Sequence, residues 1–93
     1  MEKKRVTIRV AGKDYNMTSS DPEAYVRRVA AYVDRKIGEL TLATRLPAAD
    51  AAVLTAITLA DDAFKAEDEA NRLRRELDKA RLELDALRGE SER

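Results

Sequence analysis

"VTIRVAGKDYNM", residues 6–17, decides the fold. It is the only strand-like stretch in the chain and reads as a β-hairpin. Val6, Ile8 and Val10 alternate with Thr7 and Arg9, and Tyr15 and Met17 alternate with Asn16 and Thr18. That is the period-two pattern of strands with one apolar face each. A two-residue Gly12-Lys13 loop of type II′ pairs Val10 with Tyr15 and Ile8 with Met17. All four side chains then share one face, and Arg9 and Asn16 lie on the other. A lone hairpin is marginal in water, so the apolar face needs a cover.

The next stretch supplies one. "SSDPEAYVRRVAAYVDRKIGEL", residues 19–40, carries two N-cap signals. Ser20 with Glu23 makes a capping box. Asp21 ahead of Pro22 is the alternative, and it is preferred because the residue before proline avoids the α region. Val26, Val29, Val33, Ile37 and Leu40 form an apolar stripe flanked by Tyr25, Ala30 and Tyr32, while Arg27, Arg28, Asp34 and Arg35 face away. Residues 41–47, "TLATRLP", connect to a second helix with Pro47 in its first turn.

From Ala48 there is no Gly or Pro until Gly89, which predicts one helix of about 60 Å at 1.5 Å per residue. With a positions at 56, 63, 70, 77 and 84 and d positions from 52 to 87, the seam reads Ala52, Ala56, Leu59, Ala63, Ala66, Ala70, Leu73, Leu77, Ala80, Leu84, Leu87. An unbroken heptad of this length predicts a coiled coil. Its flanks set direction. A parallel dimer places Glu69 opposite Arg74, Glu76 opposite Arg81 and Glu83 opposite Arg88, each twice. An antiparallel one sets acid against acid and Arg against Arg. Single exposed pairs are worth roughly 0–1 kcal/mol; the contrast between attraction and repulsion selects the parallel arrangement.

Val53, Ile57, Ala60 and Phe64 form a second stripe beside the seam, continued by Glu67, Asn71, Arg74 and Asp78. The head is therefore expected to pack on this helix as far as Phe64. The expected class is α+β: a head over 1–47 (hairpin 5–18, helix 21–40, connector 41–47), a long helix over 48–89 whose lower part is the stalk, and a disordered tail over 90–93. Leu82 is left exposed on the stalk.

Composition narrows function. Charged residues make up 39% of the chain and aromatics 4%, which suits solvated helices better than an enzyme. There is no Cys and no His, and Gly12, Gly38 and Gly89 are isolated, so no thiolate or phosphate-loop site arises. Asp61-Asp62 and Glu67-Asp68-Glu69 are spread around the helix. No catalytic, metal or cofactor site is expected. No run approaches the ~18 apolar residues of a membrane span, and Arg9 interrupts any signal-peptide core. Net charge is zero, yet residues 1–47 hold ten Lys/Arg against six Asp/Glu, and residues 48–93 eight against twelve. A basic head on an acidic stalk favours an acidic partner for the head.

Taken in order, "AGKDY", "YVRRVAAYVDRKI" and "AVLTAITLADDAFK" resemble the ZapA family of bacterial cell-division proteins, from about Val6 to Glu69, with the heptad tail completing the layout. The resemblance implies a cytoplasmic homodimer at the division site, paired into tetramers in some members, that binds the tubulin-like protein FtsZ and cross-links its filaments. It also implies that basic head residues make that contact. Lys13 and Arg45 match family positions, and Arg9, Arg27, Arg28 and Arg35 are candidates by exposure. The short "GESER" end bears on the tetramer more than on the dimer. The rival expectations are a dimeric nucleic-acid binder, disfavoured by a sequence pI near 6.3 and few stacking aromatics, and a coiled-coil adaptor of another complex.

Overall fold

Ala11 and Gly12 turn the chain back on itself with φ of 52° and 79°. The computed structural model describes residues 2–91. Its order is β1 (Lys4–Val10), β2 (Lys13–Ser19), α1 (Glu23–Thr44) and α2 (Ala48–Ser91). The chain divides into two compact units that meet in sequence between Thr58 and Leu59.

β1 and β2 form an antiparallel hairpin that pairs Val10 with Lys13, Ile8 with Tyr15 and Val6 with Met17. The expected register is off by two residues, because the loop is Ala11-Gly12 rather than Gly12-Lys13. Two consecutive positive φ values are the signature of a type I′ turn, whose twist matches that of paired strands. A slip of two keeps every side chain on its predicted face. Ala11 sits in the left-handed region at about 1–2 kcal/mol, and its amide donates to Asp34 Oδ1 at 2.9 Å. Asp34 therefore faces the turn, not open solvent as its place in the helix pattern predicts. On the outer face Thr7 Oγ1 donates to Asn16 Oδ1 at 2.8 Å, and Arg9 pairs with Asp14 at 3.1 Å.

α1 starts from Pro22, whose extended backbone (φ −56°, ψ 141°) takes the N-cap position without a side-chain cap. The Pro22 carbonyl accepts from the amides of Tyr25 and Val26 at 3.0 and 3.1 Å. Neither Ser20 nor Asp21 caps. The Asp21 amide instead donates to Ser19 Oγ at 3.0 Å, and the Ser19 hydroxyl holds the Asp21 carboxylate in the same local turn. The helix outlasts the expected Leu40 by four residues, since "TLAT" holds no breaker. Arg45 ends it in the left-handed conformation (φ 58°), its amide donating to the Thr41 carbonyl at 2.8 Å.

The core consists of Val6, Val26, Ala30, Ile37 and Ala51 with the hydroxyl-bearing Thr55. Fully burying a Val or Ile contributes about 1.5–3 kcal/mol. Thr55 is satisfied by donating to the Ala51 carbonyl at 2.7 Å. β1 packs on α1, which places the hairpin on its own chain. β2 lies outside, with Lys13 to Thr18 all exposed. Tyr15 and Met17, expected inside, are 49% and 43% exposed, and Val29 of the predicted stripe is 44% exposed.

The second stripe is also uncovered: Val53, Ile57 and Phe64 are 60%, 61% and 66% exposed. The reason is angular. At about 100° per residue, Val53 lies some 200° around α2 from Ala51, so burying Ala51 and Thr55 turns Val53 and Ile57 outward. Gly89 does not stop α2. Glu90 and Ser91, expected in a disordered tail, are helical, and residues 92–93 lie outside the described residues. An exposed Gly costs a helix only about 1 kcal/mol.

Candidate partner-binding surface

The cations singled out in the sequence fall into two electrostatic groups. Arg9 is matched by Asp14 across the hairpin, Arg27 by Glu23 at 2.7 Å, and Arg35 by Glu39 at 3.8 Å. Among the described residues no carboxylate stands within ion-pair distance of Lys13, Arg28 or Arg45. These three are unmatched among those residues.

Lys13 opens β2 opposite Val10. It was expected in the loop; it lies instead on the face shared with Tyr15 and Met17, because the turn falls one residue earlier. Arg28 projects from α1 into a groove lined by Tyr25, Val29 and Tyr32. Arg45 is the left-handed cap of α1. Arg28 and Arg45 stand 17 residues apart on or next to one helix, about 25 Å by its rise. Arg28 and Arg45 are thus well separated along α1 rather than clustered.

On α2 the seam positions are open in the single chain. Leu59 and Ala70 are half-buried, Ala66 and Ala80 are exposed, and Leu73, Leu77, Leu84 and Leu87 are 50%, 51%, 48% and 62% exposed. Arg74 donates to Asn71 Oδ1 at 3.1 Å, and Arg81, Glu83 and Arg88 are exposed. Within the chain Glu69 and Glu76 bond to Arg72. The Glu69 carboxyl is held below its ordinary range by the Arg72 hydrogen bond, and Arg72 is raised by Glu69 first and Glu76 after. One turn nearer the head, Lys65 is raised by its hydrogen bond and charge contact with Asp61, 2.8 Å away.

The sequence model of the cell division protein ZapA family matches residues 6–90. This chain belongs to the ZapA family. It is 40% identical over 75 residues to the ZapA of Geobacillus kaustophilus, covering 77% of this chain and 80% of that one. It is 42% identical over 66 residues to the ZapA of Shouchella clausii, covering 68% and 82%. Among solved structures, a ZapA mutant dimer from Geobacillus stearothermophilus superposes with a TM-score of 0.70 at 37% identity, covering 83% of this chain and 91% of the other. The family likeness read from the helix motifs is borne out, and it reaches past Glu69 into the heptads. So is the α+β fold of a hairpin, a shorter helix and a long C-terminal helix. The ZapA relatives are cell-division proteins. Among the described residues no single helix is long and apolar enough to cross a membrane.

Two residues escaped the sequence reading. Arg72 was legible, standing three residues after Glu69 and four before Glu76, the spacing of helical ion pairs. Asp34 was not. Its role depends on a turn 23 residues away, and nothing in its local pattern marks it.

Proposed function

We propose that this chain is a parallel homodimer that binds FtsZ filaments and bundles them at the division site in the cytoplasm, by display and not by chemistry. The observation that carries the reading is the set of unmatched cations, Lys13, Arg28 and Arg45, on a chain whose leucine seam is open. The seam from Leu59 to Leu87 joins two chains, with Glu69, Glu76 and Glu83 reaching Arg74, Arg81 and Arg88 of the other copy. Residues 1–47 then appear twice on one particle, each offering positive charge to an acidic filament. Arg9 contributes less, because Asp14 already neutralises it.

Two weak contacts on one particle add through effective concentration, so filaments align without any single strong site. Electrostatic contacts at an exposed surface weaken with salt. Low-speed co-sedimentation of FtsZ with this protein tests the proposal. Added protein is expected to move FtsZ into the pellet, less so as salt rises, and less again for Lys13→Glu with Arg45→Glu. An unchanged pellet across the salt series refutes the reading.

A further inference from the structure

The hairpin has an open edge on β1. In a two-residue loop the flanking pair, Val10 and Lys13, is bonded through the backbone, and bonded pairs then alternate with unbonded ones. With the observed register, Ile8, Val6 and Lys4 turn their amides and carbonyls toward β2, and Arg9, Thr7 and Arg5 turn theirs away. Among the described residues no other backbone takes up those outward groups. β1 is seven residues long, holds no Pro and pairs without a bulge, so charge alone is left to control what joins this edge.

A groove of about 170 Å³ lies beside it, lined by Ile8, Arg9, Arg27, Ala30, Ala31 and Asp34. Ile8 and Arg9 point to opposite faces of the strand, so a space that touches both lies at the strand's edge. No β2 residue lines it, which makes that edge the free one. Ala30 and Ala31 are small and let a chain come close to α1. Asp34 is engaged by the Ala11 amide at 2.9 Å, which ties α1 to the turn beside the groove. A free strand edge facing a helix is the geometry that accepts an extended peptide as a further strand.

Charge selects the peptide. Lys3 precedes β1, Lys4 and Arg5 begin it, and all three are exposed. Among the described residues no carboxylate stands within ion-pair distance of them. Arg9 and Arg27 are already paired with Asp14 and Glu23 and add little. A second copy of this edge is the wrong occupant: two β1 strands paired antiparallel about Thr7 set Arg5 against Arg9 twice, and like charges directly opposite are destabilising.

We propose that the open edge of β1 binds an extended acidic peptide segment, which adds as a further strand beside α1 with its carboxylates at Lys3, Lys4 and Arg5. The outward amides and carbonyls of Arg5, Thr7 and Arg9 hold the segment, and the leading cations select its sequence. The contact needs neither the leucine seam nor Lys13, Arg28 and Arg45.

The probe is a capped Glu-Val-Glu-Val-Glu-Val-Glu peptide added to the full-length protein at neutral pH, with amide hydrogen exchange read residue by residue by NMR. The Arg5, Thr7 and Arg9 amides are expected to exchange about tenfold more slowly once the peptide stands at about ten times its dissociation constant. The outward amides of Asp14, Asn16 and Thr18 on β2 are expected to be unchanged. The same peptide N-methylated at every residue has no amide to give and is expected to protect none of them. Replacing each Glu of the peptide by Lys, or Arg5→Glu in the protein, is expected to weaken binding several-fold. Protection at Asp14, Asn16 and Thr18 instead moves the added strand to β2 and overturns the assignment. Undiminished binding of the N-methylated peptide overturns the added strand, and equal binding of the Lys peptide overturns the charge selection. A Glu peptide that protects none of the three amides at any soluble concentration overturns the whole.

Discussion

The backbone amide of Ala11 donates to the carboxylate of Asp34 at 2.9 Å, tying the hairpin turn to the middle of α1. One bond holds a turn whose first residue is strained and whose second strand is uncovered. Asp34→Ala is expected to lower stability by about 1 kcal/mol, the order of a typical net hydrogen bond, with Asp34→Asn intermediate. Urea midpoints at constant slope measure it; equal midpoints for Asp34→Ala and the parent chain would show that the turn needs no anchor.

The strain at Ala11 predicts a gain. Glycine enters the left-handed region freely, so Ala11→Gly is expected to add about 0.5–1 kcal/mol after the extra freedom of the unfolded chain is deducted. Gly12→Ala, at φ 79° with open space around it, is expected to lose about 1 kcal/mol through backbone conformation alone. Thermal melts of the two variants should move in opposite directions.

Arg45 separates fold from binding. It ends α1 at φ 58° and carries one of the unmatched charges. Arg45→Gly is expected to raise stability by about 0.5–1 kcal/mol while weakening FtsZ bundling. A variant that bundles as well as the parent would remove Arg45 from the contact surface.

Arg72 sets the titration of Glu69. Because the Glu69 pKa is lowered when folded, its contribution is present above the ordinary carboxylate range and is lost as pH falls through the lowered value. In Arg72→Ala the Glu69 carboxyl should titrate higher, closer to its ordinary value, as followed by NMR. For Lys65, raised by Asp61, the contribution is present below the ordinary lysine range and fades as pH rises past the raised value. Asp61→Asn should bring that titration down.

Leu77 and Leu82 provide a contrast on one helix. Leu77 lies on the proposed seam and Leu82, 71% exposed, lies off it. Losing one buried Leu in each chain removes about 1.5–3 kcal/mol per copy. Leu77→Glu is therefore expected to raise the dimer dissociation constant more than tenfold, and Leu82→Glu to leave the mass in solution unchanged. Equal effects of the two would place the seam elsewhere.

Much of this architecture is local, and local features are legible in a sequence. The alternation around Ile8 and Tyr15 determined the hairpin faces, and those faces survived a two-residue error in register because side-chain direction depends only on parity. The lack of a breaker between Ala48 and Gly89 determined one long helix. The order of the helix motifs determined the family. Tertiary structure decided the rest. Whether the loop is Ala11-Gly12 or Gly12-Lys13 turns on strand twist and on Asp34, a partner distant in sequence. Which side of α2 the chain buries turns on the closeness that small Ala51 and Thr55 permit, and hydrophobicity alone points to Val53 and Ile57 instead. Those larger residues stay exposed in the single chain. An apolar stripe states that a helix will be covered, and only the assembled backbone states by which surface.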